Sequence, residues 1–387
     1  MRRRNQDAVS FSPSLELIAR GIGDPVLRLR FLKFVAPPPP SRPRRRRLLL
    51  LAPIPLALAA IFPMAFRLRP KAATLPPPAP PVERPAAPVE HTPPGEIWKV
   101  EDAGGWETYS NGLRIDNRFV VFTHRRSYLV FPAVQAGARN PLPSGKPAGI
   151  VFHTTESRQP PLEAGRNGEL RRLQNSLIDY LRRERAYHFL IDRFGRVYRI
   201  VAETDAANHA GYSVWADETS IYVNLNESFL GISFEADTRP GQAQPSISPA
   251  QIRAAAGLTD LLRGRYAIPA ADCVTHAQVS VNPSNMRIGY HTDWASSFPF
   301  DSLGLPNNYA RASAAIARFG FEYDPAFLHW AGTQLYAGIE EGERQLREKA
   351  RRAGLPPGAY RRQLQHRYRE ILETVRQNTA APEPAGG

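Results

Sequence analysis

The sequence divides into two parts of different composition, and this division confines any folded core to the second part. Residues 1–72 hold 15 of the 50 Lys and Arg residues but only 3 of the 36 Asp and Glu residues. Prolines crowd residues 70–95, and such a stretch stays extended instead of building a core. The rest of the chain is long and almost balanced in charge. It therefore suits a globular domain and gives no support to nucleic-acid binding.

The basic part contains one segment of membrane-spanning length. Residues 48–66 carry no charge and directly follow four arginines at 44–47. About 20 apolar residues span a bilayer, and the excess of basic residues before the segment keeps the N-terminus cytoplasmic. The sequence predicts a basic cytoplasmic arm (1–47), a single-pass transmembrane signal-anchor (48–66) and a Pro-rich linker (67–95). A cleaved signal peptide is the alternative, so cleavage of the anchor stays open.

The second part alternates strand-like and helix-like patterns. Residues 96–146 show short apolar runs separated by turns, which predicts a β preface. Beyond it, strands alternate with helices, which predicts an α/β domain over 147–320 with a central mixed β-sheet flanked by helices. An apolar stripe from Tyr360 to Val375 predicts a helical C-terminal extension over 321–387 with a disordered end.

Two histidines and one carboxylate form a candidate metal set. His153 directly follows the apolar run GIVF, and His276 follows Cys273-Val274-Thr275. Asp293 lies 17 residues beyond His276. Two histidines and a carboxylate suit zinc and leave its fourth position open, as in catalytic zinc sites. Cys273 is the only cysteine, so the chain has no intrachain disulfide.

Five blocks between residues 147 and 300 identify a family resemblance. In chain order they are IVFHTTES, AYHFLIDRFGRVYRIV, NHAG, GISFEAD and THAQVSVNPSNMRIGYHTDW. Together they resemble the zinc-dependent N-acetylmuramoyl-L-alanine amidases, which share a fold with peptidoglycan-recognition proteins and phage lysozyme-type amidases. The resemblance implies that fold for residues 147–320, with Zn²⁺ as cofactor.

The resemblance assigns His153, His276 and Asp293 as metal ligands. Many family members have a lysine at the position of His291 and a proline at that of Trp294. A rival ligand set therefore replaces Asp293 with His291.

Catalytic roles are implied for Tyr187, Glu235 and His291. Tyr187 or His291 would share the charge of the reacting oxygen, and Glu235 or His291 would pass a proton to the leaving amine. The two-residue period of a strand places Glu235 on the polar face with Gly231 and Ser233, which predicts that it faces the cleft.

Substrate contacts are implied for three further residues, His209, Asn208 and Thr154. Glu156, which lies in the same block as His153, is interpreted as a loop charge.

The implied function is hydrolysis of the amide between N-acetylmuramic acid and L-alanine of the stem peptide in peptidoglycan, with water activated by zinc. The substrate lies where the predicted anchor would deliver the domain, at the periplasmic or cell-wall face of the cytoplasmic (inner) membrane. Two alternatives stay open. One is a non-catalytic peptidoglycan-binding module of the same fold, and the other is a zinc amidase or peptidase acting on another acylated peptide. The sequence does not indicate an oligomeric state.

Overall fold

The computed structural model describes residues 96–133, 140–238 and 247–380. The predicted arm (1–47), signal-anchor (48–66) and linker (67–95) lie outside these residues. Among the described helices, none is both long enough and apolar enough to cross a membrane.

A mixed sheet of eight strands forms the centre of the fold, in the order β1-β2-β3-β8-β7-β11-β6-β12. Its strands are β1 (Lys99–Ala103), β2 (Trp106–Tyr109), β3 (Arg114–Asp116), β6 (Gly149–Thr154), β7 (Phe189–Ile191), β8 (Val197–Arg199), β11 (Phe229–Phe234) and β12 (Cys273–Thr275). The strand β6 runs parallel to both β11 and β12, whereas β7 and β8 are antiparallel. Every residue of β6 and β11 is buried, as expected for parallel strands covered on both faces.

The long helices cover opposite faces of this sheet. The helices are α1 (Asn167–Glu184), α2 (Leu225–Ser228), α3 (Pro249–Tyr266), α4 (His276–Val279), α5 (Ala314–Phe319), α6 (Pro325–Arg352) and α7 (Pro357–Ala380). Ile178 and Leu181 of α1 share a cluster with Leu190 of β7, whereas Leu258 of α3 shares the main core with Phe189 of the same strand. Alternate residues of β7 thus point to different helices, which confirms the predicted α/β class with helices on both faces.

The predicted β preface contributes to both large sheets instead of forming a unit of its own. The strand β3 pairs with β8 and so extends the central sheet. A second sheet, in the order β5-β4-β10-β9, contains β4 (Tyr128–Pro132), β5 (Leu142–Ser144), β9 (Val214–Ala216) and β10 (Ser220–Val223). A hairpin of β13 (Val281–Asn282) and β14 (Arg287–Ile288) completes the strands.

A hydrogen bond between Trp215 of β9 and Asp272 links the second sheet to the segment just before β12. The Trp215 indole N–H donates to Asp272 Oδ1 at 2.8 Å. Burial raises the pKa of Asp272 from 3.8 to about 6, although the hydrogen bond from Trp215 opposes the shift.

Replacement of this buried carboxyl should change how stability depends on pH. Between about pH 4 and 6 the folded chain keeps the Asp272 proton that the unfolded chain has lost, so this group's contribution to stability falls as pH rises through that range. Asp272→Asn keeps an acceptor for Trp215 but does not titrate. We expect the free energy of unfolding of the variant, relative to wild type, to rise by on the order of 2 kcal/mol between pH 4 and pH 7.5 in urea titrations. Parallel pH curves would contradict this.

The helices α6 and α7 share the main core with the sheet. Buried apolar side chains from both helices belong to the same cluster as the sheet residues: Leu335, Ile339, Leu346, Leu364, Tyr368, Ile371, Leu372 and Val375. The helix α6 also passes very close to the loop after β14. A Cβ atom at Gly338 would lie 2.5 Å from the carbonyl oxygens of both Tyr309 and Arg311.

Any side chain at Gly338 should force α6 away from this loop. We expect Gly338→Ala to lower the free energy of unfolding by about 1–3 kcal/mol in urea titrations. Both oxygens belong to the backbone, so they cannot move aside as the end of a flexible side chain could. Gly264→Ala is the matched control. A Cβ there meets nothing within 4 Å, and alanine in an open helical position is neutral or stabilising by up to about 1 kcal/mol. Equal effects at the two positions would refute the close approach of α6.

Candidate metal centre and its surroundings

Parallel strand pairing places two histidines side by side at the carboxyl edge of the sheet. His153 is the fifth residue of β6 and is fully buried. Thr275, the last residue of β12, pairs with Phe152, so His276 follows at the level of His153. A capping box between Thr275 and Gln278 turns the chain into α4 at His276 and fixes where its side chain starts.

The carboxylate of Asp293 completes the group. Its Oδ2 lies 3.2 Å from His153 Nδ1, and its Oδ1 lies 2.9 Å from His276 Nδ1. One ligand atom from each of the three residues falls within 4.8 Å of the others, and all three residues are buried. The structure thus brings together the three residues that the sequence assigned to the metal.

Trp294 holds the loop that carries Asp293. The indole N–H donates to the carbonyl oxygen of His153 at 3.0 Å, and the side chain is fully buried. The residue itself adopts φ 56°, a left-handed backbone conformation that is uncommon for a large side chain. The backbone N–H of Ala277 donates to the Asp293 carbonyl at 3.2 Å. The carboxylate is therefore tied to both histidine-bearing elements.

The electrostatics of the group suit a cation. Burial and the neighbouring His276 lower the pKa of His153 to about 4, so this ring is neutral at pH 7. Burial opposes ionisation of Asp293, but His276 and His153 outweigh it and hold the pKa of Asp293 well below its usual range. A neutral imidazole and an ionised carboxylate are the forms that bind zinc.

Two orphaned nitrogens show that the residues fit a metal ion. His153 Nδ1 and His276 Nε2 are buried and make no hydrogen bond. Unpartnered buried polar atoms cost free energy, and a metal ion would satisfy both. Two imidazoles and one carboxylate are also the donor types of three-ligand zinc sites.

His291 lies against this group without joining it. Its ring stacks on that of His276, with centroids 4.4 Å apart and planes 22° apart. Its backbone N–H donates to Ser280 Oγ at 2.9 Å. Among the described residues, the group that lies close enough to share a metal ion includes Asp293 but not His291.

Tyr187 and His209 contact the other side of His153. The Tyr187 ring centroid lies 4.9 Å from that of His153. Burial, and to a smaller extent the charge of Asp293, raises the pKa of Tyr187. His209 Nδ1 lies 3.1 Å from His153 Nε2. Burial and the neighbouring His153 hold the pKa of His209 well below its usual range.

The other two predicted substrate residues have local partners. Asn208 is exposed, and its amide donates to the Glu184 carbonyl at the end of α1 at 3.0 Å. Thr154, the last residue of β6, donates its hydroxyl to Glu156 Oε1 at 2.5 Å. Their contact with substrate stays a prediction.

The expectation that Glu235 faces the cleft needs correction. Its carboxylate accepts the backbone N–H of Arg193 at 3.2 Å, in the turn between β7 and β8. The two-residue period holds only within a strand, and β11 ends at Phe234. Ser233, not Glu235, is the residue of β11 in register with His153.

Glu156 lies in the exposed loop after β6, as the sequence predicted, and its carboxylate contacts two threonines beside the site. Its Oε1 accepts from Thr154 and, at 2.9 Å, from the Thr238 hydroxyl. The Thr238 hydroxyl oxygen lies 3.4 Å from the backbone nitrogen of Trp294, the residue after Asp293. Partial desolvation of the carboxylate raises the pKa of Glu156.

The fold and site define an α/β domain with a buried two-histidine, one-carboxylate centre. A family model described as N-acetylmuramoyl-L-alanine amidase matches residues 143–293, which include all three residues of that centre. Residues 143–293 therefore hold an N-acetylmuramoyl-L-alanine amidase domain, the class of hydrolase that cleaves the bond between N-acetylmuramic acid and L-alanine.

Solved structures that are similar to this chain include amidases from several bacteria. AmiD from E. coli is 19% identical, with a TM-score of 0.34, over 62% of this chain and 88% of that one. AMPDH3 from Pseudomonas aeruginosa is 22% identical, with a TM-score of 0.31, over 65% and 82% of the two chains. LysC from Clostridium intestinale is 20% identical, with a TM-score of 0.26, over 48% and 93%. A search of curated proteins found no match.

Proposed function

We propose that the amidase activity depends on zinc held by His153, His276 and Asp293. The observation that carries this proposal is the pair of buried, unpartnered imidazole nitrogens beside an ionised carboxylate. Such an arrangement is unfavourable without a cation and favourable with one.

Protein side chains would both bind the ion and compensate its positive charge. Zinc at such a site polarises a carbonyl and activates water at neutral pH. The two histidines would hold the ion, and the carboxylate of Asp293 would compensate part of its positive charge. Trp294 is fully buried and donates to the His153 carbonyl, so it packs against the inner side of the centre. Tyr187 and His291 flank the ligands, which supports the roles at the reacting oxygen that the resemblance implied for them.

The complete ligand set supports an enzyme over a binding module of the same fold. All three ligand positions hold residues able to bind zinc, and the structure brings them within reach of one ion. A module that only recognises peptidoglycan needs no such set. Action on a different acylated peptide is left as an outcome of the experiment below.

We also propose that the domain works at the outer face of the inner membrane. The support is the uncharged segment at residues 48–66, the excess of basic residues before it and the Pro-rich stretch after it. Peptidoglycan lies on that side.

Product analysis tests the proposed reaction. The full-length protein is incubated with purified peptidoglycan and, separately, with simple acyl-peptides, and the products are identified by mass spectrometry. We expect free stem peptides that begin with L-alanine and lactyl-containing glycans that lack peptide. Binding to sacculi without any released peptide would indicate the recognition module. Cleavage of acyl-peptides alone would indicate a different substrate.

A further inference from the structure

The loop that carries His209 is fixed by a single side chain. Asn226 Oδ1, in α2, accepts the backbone N–H groups of His209, Ala210 and Gly211 at 2.9, 2.8 and 2.8 Å. The ring then lies on β11 over Gly231. A Cβ atom at Gly231 would be 2.7 Å from the Cγ atom of His209, so glycine leaves the space that the ring occupies. The ring of His209 is thus held in place before any ligand binds.

The hydrogen bonds of this ring determine which of its nitrogens carries a proton. His209 Nε2 lies 3.2 Å from the carbonyl oxygen of Phe229, which can only accept, so Nε2 carries the hydrogen. A second proton on the ring would place a positive charge beside a cation site. His209 Nδ1 is therefore an acceptor, and the group that donates to it is His153 Nε2–H at 3.1 Å.

The same bond determines the tautomer of His153. With its hydrogen on Nε2, the ring of His153 has its lone pair on Nδ1. That atom is the buried nitrogen without a hydrogen bond, 3.2 Å from Asp293 Oδ2. The chain of contacts runs from the Phe229 carbonyl through His209 to His153 and leaves the free nitrogen facing the metal group.

We propose that His209 is a positioning residue for the metal, which holds His153 in the tautomer and ring orientation that ligation requires. This inference rests on the proposed zinc centre. It gives His209 a role distinct from the substrate contact that the family resemblance implied. Metal-bound histidines commonly donate their second N–H to such a partner, and loss of the partner weakens metal binding by about 10–100-fold.

Zinc affinity measured without substrate tests this role. Full-length wild type, His209→Ala and His209→Asn are freed of metal and titrated with zinc against a chelator of known affinity. We expect His209→Ala to bind zinc about 10–100-fold more weakly. Asparagine keeps an amide oxygen as an acceptor beside His153 Nε2, so His209→Asn should recover most of the affinity. His366→Asn, at an exposed histidine of α7, should match wild type.

Kinetics at saturating zinc separate the two roles of His209. We expect the KM of His209→Ala for a muropeptide to stay within about twofold of wild type once zinc is saturating. A raised KM with unchanged zinc affinity would overturn the inference in favour of a substrate contact. If His209→Asn bound zinc as weakly as His209→Ala, the contribution of His209 would be packing and not a hydrogen bond to His153. Failure of wild type to bind zinc would instead refute the proposed metal centre itself.

Discussion

Removal of one imidazole from the centre should abolish both metal binding and catalysis. We expect His276→Ala to lose stoichiometric zinc and to release stem peptides about a thousandfold or more slowly than wild type. His276 follows β12, and its Nδ1 lies 2.9 Å from Asp293, so its loss leaves one histidine and one carboxylate. Bound zinc and the initial rate of peptide release from the same preparation are the measurements.

The matched control for this variant is His366→Ala. That histidine lies on α7 with a side chain 74% exposed, and it should leave zinc content and rate unchanged. Because His276 is buried, thermal unfolding of both variants shows whether the fold survives the substitution. A folded His276→Ala protein that keeps full zinc and full activity would refute the assignment of this residue as a ligand.

Truncation of Trp294 should have the largest effect on stability. The side chain is fully buried, packs edge-on against Phe234 and Phe298, and donates to the His153 carbonyl. We expect Trp294→Ala to lower the free energy of unfolding by about 3–5 kcal/mol, a large share of the typical stability of a domain. Urea unfolding of the metal-free protein measures this loss without the contribution of zinc.

Two further variants separate packing from the hydrogen bond. Trp294→Phe keeps an aromatic ring but leaves the His153 carbonyl without its donor, so we expect a smaller loss of about 1–3 kcal/mol. Trp98→Ala removes a tryptophan that is 59% exposed and should change stability by no more than about 0.5 kcal/mol. If Trp294→Ala were no more destabilising than Trp98→Ala, Trp294 would not support the ligand loop.

The sequence indicates His153 and His276 as candidate metal residues because each lies at the end of a short strand. The runs before His153 and His276 are short, apolar and buried, and both predicted positions fall at strand ends. Their adjacency depends on the parallel pairing of β6 with β12, which no local pattern encodes. The approach of Asp293 depends on the left-handed backbone at Trp294 and on its bond to His153, both of which are tertiary features.

The sequence interpretation is weakest where a local rule is extended beyond its element. The strand period placed Glu235 in the cleft, but β11 ends one residue earlier and the side chain meets Arg193. Glu156 lies in a loop as predicted, but its contact with Thr238 forms only in the folded chain. The apolar stripe of α7 correctly predicted a helix, and the structure shows that this stripe belongs to the main core.

Zinc removal and restoration is the most direct test of the central claim that this amidase works through a single centre of His153, His276 and Asp293. The full-length protein is stripped with a chelator and titrated with zinc, while released stem peptides are followed by mass spectrometry. We predict no cleavage without metal and a linear recovery that ends at one zinc per chain. Full cleavage by the metal-free protein, or no cleavage after one zinc has bound, would contradict the account.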